Sequence, residues 1–265
     1  MHRERLLSVV ILLPLFLLLV SYGGKGAFAL VVATTTAVGL WEFSRMVEGR
    51  SGAEGVLTVF GGVGLVALTY FKGVAWLSLG LIVFLMLLLG VSLRQKGEVG
   101  ERLRKTTFHL LGVLYIGGPL SLAVALREMP GGEGYILLAC GIVWAGDTIA
   151  FYTGITLGHH PLAPNISPRK SVEGSIGGFC ASILSAPLLA KVLGVPAPLP
   201  VSLLLGAVVG AVGQVGDLAE SMIKRAFQVK DTGNLLPGHG GALDRIDSLL
   251  FALPTLYLWV RFGWI

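Results

Sequence analysis

Charge is what this sequence has least of. Only 13% of its 265 residues are Asp, Glu, Lys or Arg, roughly half the share usual in a soluble globular chain. With a mean hydropathy of +0.81, that scarcity excludes an ordinary water-soluble domain. Cysteine is nearly absent as well. Cys140 and Cys180 both fall inside apolar runs, which argues against a disulfide framework in extracellular loops and for two buried, inert thiols. Two familiar motifs are missing. Without HExxH there is no zinc-protease site of that pattern, and without GxxxxGK[ST] there is no P-loop. His159 and His160 are adjacent, so they do not share a helix face. Gly61-Gly62-Val63-Gly64 lies within an apolar stretch and does not open a dinucleotide fold.

What is present is a series of apolar stretches. Crossing a ~30 Å hydrocarbon core takes roughly 17–25 residues. Nine candidates read off at about 6–22, 26–43, 56–71, 74–93, 107–126, 134–157, 175–194, 199–222 and 247–263. Nothing between them is long enough for a separate soluble domain. The expected architecture is all-α: one polytopic integral membrane unit over 1–265. Helices within 1–130 serve as scaffold, lipid access or dimer contacts, and 131–265 carries the catalytic helices and loops. The start, "MHRER" before "LLSVVILLPLFLLLV", resembles a signal peptide, with Ala27-Phe28-Ala29 as a small-x-small triplet. That triplet lies inside the next apolar run, so a retained first helix is expected.

Lys and Arg set the orientation. Fifteen of the twenty lie on the side shared by the N-terminus and the even-numbered connections, and five lie on the other. The positive-inside rule then places the N-terminus in the cytoplasm and the C-terminus outside; a bacterial-type inner membrane is the expected setting. The two long connections, 158–174 and 224–247, face the cytoplasm too, and long ordered loops are usually functional. The net charge of +5 is generic for such a face.

Two acids are counted within the apolar spans, Asp147 and Asp217. Asp147 stands roughly 10 residues from the cytoplasmic end of its span, ~15 Å deep. Buried carboxylates are costly unless paired, protonated or metal-bound, and an intramembrane salt bridge is the alternative reading for both. Gly206, Gly210, Gly213 and Gly216 mark close helix packing around Asp217. Small-residue faces of this kind are also compatible with a homodimer.

The connection "KRAFQVKDTGNLLPGHGGALDRID" gathers the remaining signals. Asp244 and Asp247, three apart at the start of the last span, would share a helix face. Two carboxylates plus substrate phosphates are a common way to hold Mg²⁺, with Asp217 available as a third ligand. Gly240 and Gly241 permit close backbone approach. His239 suits hydrogen-bond donation to a phosphate or proton transfer, a solvated loop histidine being the alternative. Lys224, Arg225 and Lys230 suit phosphates, or are ordinary positive-inside charges.

These residues carry a resemblance. Ser221-Met-Ile-Lys224-Arg225, Lys230-Asp231, His239-Gly240-Gly241 and Asp244-Arg245-Ile246-Asp247 together are similar to the signature of the phosphatidate cytidylyltransferase (CDP-diacylglycerol synthase) family. Ala242 departs from that family's bulkier apolar residue. A second block, Asp147-Thr148-Ile149-Ala150-Phe151 followed by Leu162 through Gly174, resembles the same family. There Phe151 replaces Tyr, Arg169 replaces Lys, Ser171 replaces Thr, and His159 and His160 stand where lysines are common. The likeness covers roughly 140–260.

The resemblance implies that CTP and phosphatidic acid give CDP-diacylglycerol and pyrophosphate, with Mg²⁺ as cofactor and the choice between one metal ion and two left open. It implies metal ligands at Asp217, Asp244 and Asp247, with Asp231 contributing. Phosphates would meet Ser167, Arg169, Lys170, Ser171, Lys224, Arg225, Lys230, Gly240 and Gly241. His239 is cast as a phosphate ligand, since the attacking phosphate is already ionised. Asp147, Glu173, Ser221 and Arg245 are further functional candidates. The bilayer is a partner and nucleic acid is not. The nearest rival is a CTP-dependent lipid-alcohol kinase acting on a polyprenol or phytol. A transporter relaying ions through Asp147 and Asp217 would instead require inverted repeats, and no convincing repeat is found.

Overall fold

The computed structural model describes residues 14–49, 52–233 and 240–265. It divides into two compact units, Met1–Ala125 with Asp231–Arg245, and Leu126–Lys230 with Ile246–Ile265.

The first unit holds a helical segment over 14–22 (α1), α2 (Lys25–Glu48), α3 (Ala53–Lys72), α4 (Leu77–Arg94) after a 3₁₀ turn at Val74–Trp76, and α5 (Val99–Gly112). A π-helical turn, Val113–Gly117, runs on into α6 (Gly118–Glu128), so Val99–Glu128 is one 30-residue span. α2 stops at Gly49, whose φ of 70° is left-handed. There its N–H reaches back to the Arg45 carbonyl at 2.9 Å, the glycine-dependent way to satisfy a terminal carbonyl.

The second unit contains α7 (Gly132–Leu157), an antiparallel hairpin of β1 (Pro161–Ala163) and β2 (Ser167–Ser171), α8 (Val172–Val192), α9 (Leu199–Ala226) and α10 (Leu249–Arg261). Small residues let α9 pack closely against α8 and the turn before α10. A side-chain carbon on Gly210 would lie 2.4 Å from the Ser182 Cβ of α8, and one on Gly216 would lie 2.8 Å from the Asp247 carbonyl oxygen. The glycine stripe on α9 is therefore a packing face, as its spacing indicates.

Among the described residues seven helices are long and apolar enough to cross a membrane, and α10 is a shorter apolar helix. The protein is an all-α, polytopic membrane protein. Most of the first expected span, 6–22, lies outside the described residues.

Several details differ from the sequence reading. α5 begins at Val99, two turns before the expected 107. Its first turns are charged and carry an Arg104–Glu101 pair at 2.8 Å, so a hydropathy window misses them. The 158–174 connection folds into a hairpin, the only strand pair among the described residues. Cys140 is buried as expected, but Cys180 sits on the exposed face of α8. Asp244 and Asp247 do not share a helix face. Asp244 lies in a 3₁₀ turn, Leu243–Arg245, and Asp247 precedes α10, which starts only at Leu249.

Candidate active site

In the second unit, polar residues from four elements converge on a cavity of about 480 Å³. α7 contributes Asp147, the β2 strand Ser167, Arg169 and Lys170, the α8 cap Ser171, and α9 Gln214 and Asp217. The hairpin is built to present them. The Ser171 hydroxyl accepts from the Gly174 N–H at 3.1 Å, an N-cap that starts α8 immediately after the strand. Glu173, in the first turn of α8, holds the other end of the hairpin. Its carboxylate accepts from the His159 N–H at 3.1 Å, and His160 Nδ1 lies 2.6 Å from its Oε1. Arg225 reaches across from α9 and donates to the Ile166 carbonyl at 3.2 Å and the Val229 carbonyl at 2.9 Å.

The charges are arranged unevenly. Lys170 Nζ is ion-paired with Asp217 Oδ2, and the carboxylates of Asp147, Asp217 and Asp247 lie within electrostatic reach of one another. In the turn before α10, burial and then the negative charge of Asp217 push the Asp247 carboxyl up to about 7. Lys224, the other nearby cation, is held 2.6 Å from the buried Glu220 carboxylate. The Ser175 hydroxyl donates to Gln214 Oε1, and Gln214 Nε2 donates to the Ser175 carbonyl at 3.0 Å, pinning α8 to α9 beside Asp217.

The first unit organises the glycine loop differently. Glu42 of α2 is buried, and its carboxylate accepts from the Ala242 N–H at 3.0 Å, the Leu243 N–H at 3.1 Å and the Thr232 hydroxyl at 3.0 Å. Asp244 Oδ2 accepts from the Gly241 N–H at 2.8 Å and the Thr232 N–H at 3.1 Å. Gly241 is required here, because a Cβ would meet Thr232 Oγ1 at 2.1 Å and Glu42 Oε2 at 2.4 Å. Gly240 has φ of 80°.

Residues 3–262 match the sequence profile of the Cytidylyltransferase family. The chain belongs to that family. It is similar to a phosphatidate cytidylyltransferase of Bacillus subtilis (strain 168), at 34% identity over 271 residues and 96% of each chain. Proteins of the same name from Staphylococcus aureus (strain COL) and Brucella abortus (strain 2308) are 46% identical over 152 residues and 42% identical over 148 residues. Each of those alignments covers 56% of this chain, and 56% and 54% of the respective relative.

In this cytidylyltransferase-family chain, Asp147, Asp217, Asp247, Ser167, Arg169, Lys170 and Ser171 are brought together in the second unit, with Lys224 in electrostatic reach of Asp247. Ser221 is buried on α9, one turn from Asp217, and Lys230 is exposed beyond its end. Asp231, Gly240, Gly241, Asp244 and Arg245 belong to the first unit. His239 lies outside the described residues. Sequence reading missed Glu42, although it stands within the 26–43 run, along with Thr232, Glu220 and the Ser175–Gln214 pair. An acid inside an apolar span was the available signal for Glu42.

Proposed function

We propose that this protein transfers the cytidylyl group of CTP to phosphatidic acid, giving CDP-diacylglycerol and pyrophosphate for phospholipid synthesis. The observation that carries this reading is the likeness to a phosphatidate cytidylyltransferase over 96% of the chain. The acid–lysine cavity supports it. In the reaction a phosphate oxygen of phosphatidic acid bonds to the α-phosphorus of CTP. The bond from that phosphorus to the bridging oxygen breaks, and pyrophosphate leaves with the electron pair. The nucleophile is already anionic, so no strong base is needed.

Bringing two polyanions together requires cations in fixed positions. Arg169 and Lys170, on one short strand at the cavity, and Lys224 on α9 serve the phosphates. The acids fit a hard dication, because three mutually repelling carboxylates are served by few protein cations and oxygen donors suit Mg²⁺. Asp217 and Asp247 would hold it, with Asp147 in electrostatic reach of both. When bound, Mg²⁺ neutralises developing phosphate charge and orients the phosphates for in-line attack. Asp244 and the buried Glu42 shape the glycine loop, and the metal roles of Asp231 and Asp244 rest on the motif alone. The site faces the cytoplasm, where CTP is found.

The test is an extraction assay with purified protein, phosphatidic acid and Mg²⁺. Label from cytidine-labelled CTP is expected in the organic phase with matching pyrophosphate. Label transferred only from γ-phosphate-labelled CTP would overturn the assignment in favour of a lipid-alcohol kinase.

A further inference from the structure

Outside that cavity, and sharing no residue with it, three titratable side chains meet inside the first unit. They are Glu48 in the last turn of α2, Glu54 in the first turn of α3 and His109 of α5. One ligand atom from each lies within 4.8 Å of the others. Glu54 and His109 side chains are fully buried, and Glu48 is 10% exposed. His109 Nε2 is 2.8 Å from Glu48 Oε1 and 3.9 Å from Glu54 Oε2.

The hydrogen bonds around the cluster fix its chemistry. The Thr58 hydroxyl donates to the Glu54 carbonyl at 2.7 Å. Its only proton is thereby used, so at 3.0 Å it accepts from His109 Nδ1. The Nδ1 atom therefore carries a proton, and in neutral imidazole the Nε2 lone pair points at two carboxylates. Something positive must lie there. The far oxygen of each acid has a polar neighbour of its own. Glu48 Oε2 accepts from the Gly52 N–H, and Glu54 Oε1 lies 3.0 Å from the Thr106 hydroxyl. A proton on Nε2 would serve Glu48, leaving Glu54 Oε2 buried with no hydrogen-bond partner, which is how it stands. Burying a carboxylate oxygen in that state is costly. A dication satisfies all three inward atoms at once and balances both acids. One imidazole and two carboxylates, with His109 and Glu48 each oriented through a second hydrogen bond, form a donor set suited to zinc-like metals.

We propose that Glu48, Glu54 and His109 bind a transition-metal dication of the Zn²⁺ class, joining α2, α3 and α5 in a structural site. It does not depend on the assignment of the reaction. Full-length protein purified in detergent without chelator should retain about one equivalent of such a metal after dialysis against excess Mg²⁺. Protein stripped of metal and titrated with Co²⁺, again in excess Mg²⁺, should develop the visible bands of nitrogen- and oxygen-coordinated Co²⁺. Glu54→Gln should lower retention by roughly 10–100-fold or more, and Glu48→Gln supplies the same test should Glu54→Gln not fold. Wild-type protein with neither retained metal nor Co²⁺ bands would overturn the proposal and leave a protonated histidine between the acids. Bands unchanged in either folded variant would overturn it equally.

Discussion

Two groups of carboxylates in this protein face opposite circumstances. Glu42, in the first unit, is buried and surrounded by N–H and O–H donors from Thr232, Ala242 and Leu243. Asp147, Asp217 and Asp247, in the second, repel one another, with Lys170 paired to Asp217 and Lys224 already beside Glu220. The first is enclosed by donors, whereas among the described residues the second group has only Lys170 at Asp217 and the Ser248 N–H at Asp247, 2.7 Å away, against its mutual repulsion. A carboxylate that is fully served holds a loop in place. Under the proposed function, acids that repel one another keep affinity for a cation brought with a substrate.

The contrast between the two groups is most exposed to test at Asp217. Metal-borne charge stabilisation is worth several kcal/mol, and each ~1.4 kcal/mol is tenfold in rate. Asp217→Asn should therefore lower turnover by about 10²–10⁴-fold while the melting temperature in detergent stays near wild type. Steady-state assays beside thermal melts check this, and near-normal turnover would remove Asp217 from the metal site. Glu42→Ala should act the opposite way. Losing bonds to a charged acceptor costs about 1.5–3 kcal/mol each, so stability should fall by about 3 kcal/mol or more. Hydrogen exchange at the amides of 241–243 should speed up, whereas unchanged exchange would end the structural reading of Glu42. The smallest effect is expected at Lys170→Met. Removing one charge-assisted hydrogen bond to a phosphate should raise KM for CTP by about 10–100-fold. The Mg²⁺ needed for half-maximal rate should fall, because Asp217 is freed of its lysine. A higher Mg²⁺ requirement would contradict the pairing as a competitor for the metal.

Much of this was legible from residue order. The apolar runs correspond to helices because hydrocarbon leaves the backbone no other partner. Asp147 and Asp217 stood out because charge within such runs is rare, and Lys170 through the resemblance of the block that holds it. Glu42 was missed because one acid barely moves the average of an 18-residue window, and the reason for its burial lies 190 residues later, at Thr232. The spacing of Asp244 and Asp247 suggested a shared helix face. In the fold Asp244 lies in a separate 3₁₀ turn, engaged with the Gly241 and Thr232 amides, and α10 itself begins only at Leu249.

Composition and motif spacing alone determined that the chain is a polytopic helical membrane protein with two long charged connections, and which reaction its signature resembles. Those properties depend on solvent transfer and on local residue order, both of which are written along the chain. Only tertiary structure decided which acids are enclosed by protein donors and which lie beside other acids. That depends on atoms contributed by segments distant in sequence, as when Glu54 and His109, on α3 and α5, come within 3.9 Å.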